Sequence, residues 1–76
     1  MISALVLVNT DIGEENKVLE RVKTVAGVEE AHVLSGIYDL LIKIDANSVE
    51  NLKDIISLNL GKQPGITNLK TLMINA

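Results

Sequence analysis

Residues 34–44 read LSGIYDLLIKI, a short polar turn that runs directly into a strongly apolar segment. The turn lies at the midpoint of the chain, and the sequences on its two sides resemble each other. Each half contains an apolar strand, a helix, a glycine turn and a second strand, in that order. The sequence therefore predicts an internal repeat of two strand–helix–strand units, joined by a hairpin at Gly36.

Hydrophobic periodicity and turn residues give the expected positions of the elements. We expect strands at residues 2–8, 28–34, 38–44 and 66–74, and helices at 12–25 and 49–60. Asp11 and Glu14 have the spacing of a capping box at the start of the first helix. Asn47 or Ser48 is expected to cap the second helix, and Gly27 to end the first.

This element order predicts an α+β protein with the ferredoxin-like split βαβ arrangement, βαββαβ, as one domain over residues 1–76. Right-handed crossovers would place both helices on one face of a four-stranded antiparallel sheet. The expected spatial order of the strands is fourth, first, third, second. That order makes the two most apolar strands, the first and the third, the central ones.

The sheet face away from the helices is predicted to be apolar, because Leu5 and Leu7 alternate with the residues that face the helices. A chain of 76 residues forms only a small core, and the absence of cysteine excludes disulfides as a means of stabilising it. A bare apolar face of this kind is expected to be buried against a second copy, as in a two-fold αβ-plait dimer.

Composition argues against several classes of partner. The formal net charge is −3, the basic residues are scattered, and Tyr38 is the only aromatic residue, so we expect no direct binding of nucleic acid. No apolar segment is long enough to span a bilayer, so we expect no membrane partner. The absence of cysteine fits a cytoplasmic protein.

No catalytic constellation is visible in the sequence. His32 is the only histidine, and there is no cysteine nucleophile and no glycine-rich phosphate loop. The neighbouring Glu29 and Glu30 would point to opposite faces of a strand. We therefore expect no catalytic residue, no metal and no cofactor, and a protein that is not an enzyme.

The turn Gly36-Ile37-Tyr38-Asp39 has two open interpretations. It could be an ordinary hairpin, in which Gly36 supplies a positive φ and Asp39 caps the turn. It could instead bind a small zwitterion, with the Asp39 carboxylate accepting from an ammonium group and backbone N–H groups donating to a carboxylate. A loop held by rigid elements is a common place for a binding site.

The chain resembles the C-terminal effector domain of the Lrp/AsnC (feast/famine) transcription regulators, the RAM domain, over essentially its whole length. The most specific mark is the Gly-x-Tyr-Asp turn beginning at Gly36. The other marks are residues 4–10 (ALVLVNT), 25–28 (VAGV), 35–40 (SGIYDL), 64–66 (PGI) and 71–72 (TL).

The resemblance implies dimers that pair through their sheets, often closed into octameric rings. It also implies that a small effector, usually an amino acid, binds between dimers near the hairpin turn and the last strand. The matching positions in this sequence are Ser35, Gly36, Tyr38, Asp39 and Thr71. Leu69 stands where many members of the family have a second hydroxyl residue.

The family's DNA-binding helix-turn-helix has no counterpart before Ile2, so the chain resembles the stand-alone form of the domain. Such a module is expected to act on transcription indirectly, through its assembly or through a full-length Lrp/AsnC-type regulator as partner. Two alternatives stay open from the sequence. One is an ACT-type regulatory domain, which shares the element order, and the other is a small dimeric ferredoxin-like enzyme.

Overall fold

The strands form one antiparallel sheet with the order β2-β3-β1-β4, as the sequence predicts. The computed structural model describes residues 1–74. The strands are β1 (Ile2–Thr10), β2 (Val28–Val33), β3 (Leu40–Ala46) and β4 (Ile66–Ile74), and the helices are α1 (Glu15–Val22) and α2 (Val49–Asp54). The fold is the predicted ferredoxin-like βαββαβ arrangement, and β1 and β3 are its central strands.

The core lies between the sheet and the helices. Alternate residues of β1, from Ala4 to Val8, and of β3, from Leu40 to Ala46, are buried on this side. Val18 and Val22 of α1 and Leu52 of α2 pack into the same cluster. On the opposite, half-buried face Leu5 and Leu7 of β1 are aliphatic, whereas β3 presents Leu41 together with the charged Lys43 and Asp45.

The first helix is shorter than the predicted 12–25, and the predicted capping box is wrong. Glu14 is the N-cap residue and its side chain makes no capping hydrogen bond. Gly13 has a φ of +81°, and the backbone N–H of Glu14 donates to the Asp11 carbonyl at 3.0 Å. A tight turn therefore occupies residues 11–14, and it leaves Ile12 fully exposed outside the helix.

The second helix begins as predicted and ends irregularly. The Ser48 side chain caps it by accepting from the Asn51 backbone N–H at 3.0 Å. After Asp54 the chain continues as a π-helical turn, Ile55–Asn59, and a 3₁₀ turn, Leu60–Lys62. Ile55 and Leu60 are both buried, and their five-residue separation suits the wider π-helical turn.

The internal repeat appears in the structure as two equivalent glycine turns, one at the start of β2 and one at the start of β4. Gly27 and Gly65 have φ values of +95° and +90°. The Gly27 carbonyl accepts from the Asp45 N–H at 2.9 Å, and the Gly65 carbonyl accepts from the Asp11 N–H at 2.8 Å. Each glycine therefore connects the end of one helical segment to the end of a central strand.

The sheet face opposite the helices is uncovered in the single chain. We call it the open face; its apolar side chains are those of Leu5, Leu7, Leu41, Leu72 and Ile74. Leu72 and Ile74 are 42% and 43% exposed. Within residues 1–74 no helix has the length and hydropathy needed to cross a membrane.

Candidate functional site

The Gly-x-Tyr-Asp segment forms a turn that is fastened to the end of β1. The Asp39 carbonyl accepts from the Leu34 N–H at 2.8 Å, which closes the turn, and the Asp39 N–H donates to the Val8 carbonyl, also at 2.8 Å. β3 consequently starts at Leu40 rather than at the predicted residue 38, and Tyr38 and Asp39 belong to the turn. Gly36 has a φ of +151°, a backbone conformation that favours glycine.

Side chains reinforce this attachment. Oδ2 of Asp39 accepts a hydrogen bond from the Thr10 backbone N–H at 2.8 Å. Nδ2 of Asn9 donates to the Ile37 carbonyl at 2.8 Å, and Asn9 Oδ1 accepts from Nδ2 of Asn68 at 3.3 Å. The turn is thus connected through β1 to β4. The hairpin interpretation of the sequence has Asp39 capping the turn, and the hydrogen bond from the Thr10 N–H to the Asp39 carboxylate gives that role a structural basis.

Asn9 and Asn68 are residues that the sequence reasoning missed. Asn9 looked like a strand boundary, and Asn68 carried no motif. They pair directly across β1 and β4, next to an irregularity in the strand register between Asn9 and Thr10. A hydrogen bond between two residues so far apart in sequence leaves no pattern in the residues around either of them. The one available signal is that Asn9 is a polar residue at the end of an otherwise apolar strand.

The outer part of the turn is open to solvent. Ser35 and Gly36 are exposed, Tyr38 is half-buried, and the Ile37 side chain is 89% exposed. A side chain built on Gly36 would have nothing within 4 Å. The turn therefore combines a fixed backbone with an unobstructed outer surface, an arrangement suited to meeting a ligand or another molecule.

Thr71 is not beside the turn within one chain. It lies in β4 opposite Val6, whereas the turn joins β1 at Val8 and Thr10 from the β3 side. β1 separates them, which corresponds to about 10 Å across the sheet for two strand spacings. Four of the five predicted site residues, Ser35, Gly36, Tyr38 and Asp39, are brought together, and Thr71 belongs to a different surface.

That surface is a groove between α2 with its π-helical extension and the edge strand β4. We call it the α2–β4 groove; its lining residues are Val49, Leu52, Lys53, Ile56, Ser57, Thr71 and Met73. Its volume is about 510 Å³. The lining is mostly aliphatic, with the Lys53 ammonium and two hydroxyl groups as its polar side-chain groups. Val49 and Met73 are both 46% exposed in the single chain.

Leu69, the position at which the sequence departs from the expected pattern of hydroxyl residues, lies in β4 opposite Val8 of β1. It is half-buried and packs against the core cluster. The Leu69 side chain therefore adds to the core rather than to the polar surface of β4.

A second cavity of about 460 Å³ lies at the end of the sheet away from the turn of residues 35–39, around the start of β2 and the end of β3. It contains none of the predicted site residues. Its polar lining includes Glu29, Asp45 and Asp54, and Asp45 accepts a hydrogen bond from the Ser3 hydroxyl at 2.6 Å. In the part of the chain that the structure describes, no group of three or more potential ligand side chains is arranged to hold a metal ion.

His32 lies on the edge strand β2 opposite Leu41 of β3, on the open face. Its Nε2 is 3.3 Å from Oε1 of Glu30, and both side chains are more than half exposed. This is an ordinary position at the surface of a strand, and His32 lines neither cavity.

Comparison with known structures shows where the same architecture recurs. FFRP-DM1 is 31% identical to this chain and superimposes with a TM-score of 0.94, and the alignment covers 99% of this chain and 100% of FFRP-DM1. AsnC of E. coli is 18% identical with a TM-score of 0.90, over 96% of this chain and 50% of AsnC. The Neisseria meningitidis transcriptional regulator NMB0573, in a complex with L-Met, is 13% identical with a TM-score of 0.87, over 99% of this chain and 50% of that regulator.

The two regulators share the fold with this chain, which spans about half the length of each. No curated protein matches the sequence. Residues 3–75 match the Lrp/AsnC ligand binding domain family, and this match extends over nearly the whole chain. The protein therefore belongs to the Lrp/AsnC ligand-binding domain family.

Proposed function

We propose that this protein binds an amino acid as a small effector, and that binding changes its assembly or its association with a full-length Lrp/AsnC-type regulator. Its effect on transcription would then be indirect, without direct binding of nucleic acid. Membership of a family of regulatory ligand-binding domains supports this function. The amino acid in the complex of the N. meningitidis regulator supports the chemical class of the effector. A regulator as partner makes the cytoplasm the expected compartment.

The observation that carries the proposal is the fixed and open turn of residues 35–39. The turn is held to β1 by backbone hydrogen bonds and by the Asp39 carboxylate, so little conformational entropy would be lost on binding. In the proposed site Asp39 lies near the effector's ammonium group, and the backbone N–H groups around Gly36 donate to its carboxylate. Ser35 adds a hydroxyl group, and Tyr38 forms a wall of the site.

Thr71 enters this site only if a second copy supplies it. The ammonium, carboxylate and side chain of an amino acid radiate from one carbon, whereas Thr71 lies across β1 from the turn of its own chain. We therefore propose that the turn of one chain meets β4 of another, which makes the effector site a contact between dimers. Closure of several dimers into a ring, up to an octamer, would complete every such site.

The dimer itself is proposed to form through the open face. Its aliphatic side chains are half-buried or exposed in the single chain, and Lys43 and Lys70 lie among them, directly opposite Leu5 and Leu7. Burial of this face against its two-fold copy would remove the apolar surface from water, and the long lysine side chains would have to extend their ammonium groups toward the edge of the interface. The proposed function contains no catalytic step.

Native mass spectrometry of the purified protein, with and without a mixture of the standard amino acids, tests the function. We expect an assembly of several dimers that gains the discrete mass of bound amino acid. A dimer that never grows and never gains mass would refute the effector site between dimers, and the turn would then be an ordinary hairpin.

A further inference from the structure

We propose that the cavity around the start of β2 and the end of β3 is a second binding site, and that its ligand is an alkyl diamine, two ammonium groups joined by methylene groups. We call it the end cavity. Its volume of about 460 Å³ is in the range of small-molecule sites. It shares no lining residue with the α2–β4 groove and contains none of residues 35–39, so the proposal is independent of the effector site.

The charge of the lining calls for a cation. Glu29 at the start of β2 and Asp54 at the end of α2 both line the end cavity, and among residues 1–74 neither carboxylate forms an ion pair. The third acidic residue, Asp45, already accepts a hydrogen bond from the Ser3 hydroxyl at 2.6 Å. None of the described side chains that line the cavity is basic. Two carboxylates therefore share one cavity without a positively charged side chain between them.

The arrangement of these carboxylates favours a diamine over a metal ion. A hard divalent cation needs several oxygen ligands within about 2.6 Å of one point. In the part of the chain that the structure describes, no group of three or more potential ligand side chains is arranged in that way. Carboxylates on separate elements can instead each accept from a different ammonium group, and each such group carries three donors.

The remaining lining suits the other parts of a diamine. Ile55 and Ala26 line the cavity with aliphatic surface, which can cover the methylene groups that join the two charges. Asn51 and Asn59 are also lining residues, and their amide oxygens can accept from ammonium donors that the carboxylates leave unused. The lining thus combines acceptors for two charged ends with an apolar contact for the middle of the ligand.

A π-helical turn forms one wall of the end cavity. Ile55 and Asn59 are the first and last residues of this turn, and Asp54 directly precedes it. The Leu60 N–H at its end is shared between the carbonyls of Ile55 and Ile56. Turns of this kind are rare and occur frequently at functional sites, which agrees with a binding role for this wall.

Isothermal titration calorimetry of the intact protein at low ionic strength, with 1,4-diaminobutane and with butylamine, tests the inference. The two amines have the same carbon chain and differ by one ammonium group. We expect the diamine to bind at least about fivefold more tightly, because its second charge meets the second carboxylate. Added salt should weaken its binding. Equal affinities, or no heat with either amine, would overturn the inference.

Three variants distinguish the end cavity from a general attraction of cations to a negatively charged protein. Asp54→Asn and Glu29→Gln each remove one carboxylate with little change of shape. Each should weaken 1,4-diaminobutane about fivefold and butylamine only about twofold, since one carboxylate remains for the single charge. Glu50→Gln is the matched control, because Glu50 is exposed, lies on the same helix as Asp54 and does not line the cavity.

The control should keep its affinity for the diamine within about twofold of the unmodified protein. A loss in Glu50→Gln as large as that in Asp54→Asn would show diffuse counterion binding and overturn the assignment of the cavity. Unchanged affinity in both Asp54→Asn and Glu29→Gln would overturn it as well.

Discussion

Replacement of Gly27 by alanine probes the close approach between the two repeats. Gly27 has a φ of +95°, a conformation that costs an ordinary L-residue about 1–2 kcal/mol. A Cβ atom at this position would also lie 2.7 Å from Cδ1 of Ile55 and 3.2 Å from the Asp45 carbonyl oxygen. Ile55 is 7% exposed and lines the cavity of about 460 Å³, so its terminal methyl group would shift to make room for the Cβ atom.

The magnitude follows from these two costs. Displacing Cδ1 of Ile55 from its rotamer well costs a further amount of about 0.5–1.5 kcal/mol. The expected loss for Gly27→Ala is therefore about 1.5–3.5 kcal/mol of unfolding free energy. Domains of this kind are stable by only about 5–15 kcal/mol, so the variant should lose a substantial fraction of its stability.

Urea unfolding followed by far-ultraviolet circular dichroism measures the effect, with all proteins at one concentration because assembly contributes to stability. Gly13→Ala is the matched control. Gly13 has a φ of +81° and a Cβ there would meet nothing within 4 Å, so this variant should show the backbone cost alone, about 1–2 kcal/mol. The difference between the two variants isolates the contact with Ile55 and Asp45.

A double variant tests whether Cδ1 of Ile55 causes the extra loss of stability. Ile55→Val removes Cδ1, so Gly27→Ala should cost less in that background than in the unmodified protein. The reasoning is refuted if Gly27→Ala is no more destabilising than Gly13→Ala, or if removing Cδ1 leaves the cost of Gly27→Ala unchanged.

Three further predictions concern the turn, the second helix and the open face. Asp39→Asn keeps an oxygen acceptor for the Thr10 N–H and should be nearly as stable as the unmodified protein, whereas Asp39→Ala should lose about 1–2 kcal/mol of unfolding free energy. Both variants lack the charge and should bind the effector at least about tenfold more weakly. Calorimetry that shows full affinity in Asp39→Asn would exclude the ammonium contact. Ser48→Ala removes the side-chain cap of α2 and should lower the unfolding free energy by about 1 kcal/mol in urea titrations, and an unchanged midpoint would show that the cap is dispensable. Leu5→Lys places a charge in the middle of the open face and should shift the protein from dimer to monomer in sedimentation velocity; Leu58→Lys, on the helical side of the molecule, is its control, and an intact Leu5→Lys dimer would refute pairing through this face.

The architecture was predictable because its signals are local and repeated. The apolar runs of β1 and β3 mark them as the central strands, and the two glycine turns occupy equal positions in the two halves. Both glycines have the positive φ that such turns require. The strand order then follows from connection rules that apply to any split βαβ chain.

The helix ends were predicted less well, because several local interactions compete there. Asp11 and Glu14 have capping-box spacing, but the positive φ of Gly13 lets the chain form a turn before α1 begins. At the other end Gly27 was expected to stop α1 directly, and the helix ends earlier, at Val22. The Arg21 carbonyl there accepts from both the backbone N–H and the hydroxyl of Thr24.

The sequence by itself determined the repeat, the central pair and the turn at Gly36 from residues that are neighbours along the chain, and the strand order from the connection rules that apply to that repeat. Only the tertiary structure decided which polar groups meet across strands. It joined Asn9 to Ile37 and Asn68, and it put Thr71 in an apolar groove on the far side of β1 from Asp39. The pairing of the strands sets the distances between these groups, and the pattern of residues along the chain does not specify those distances.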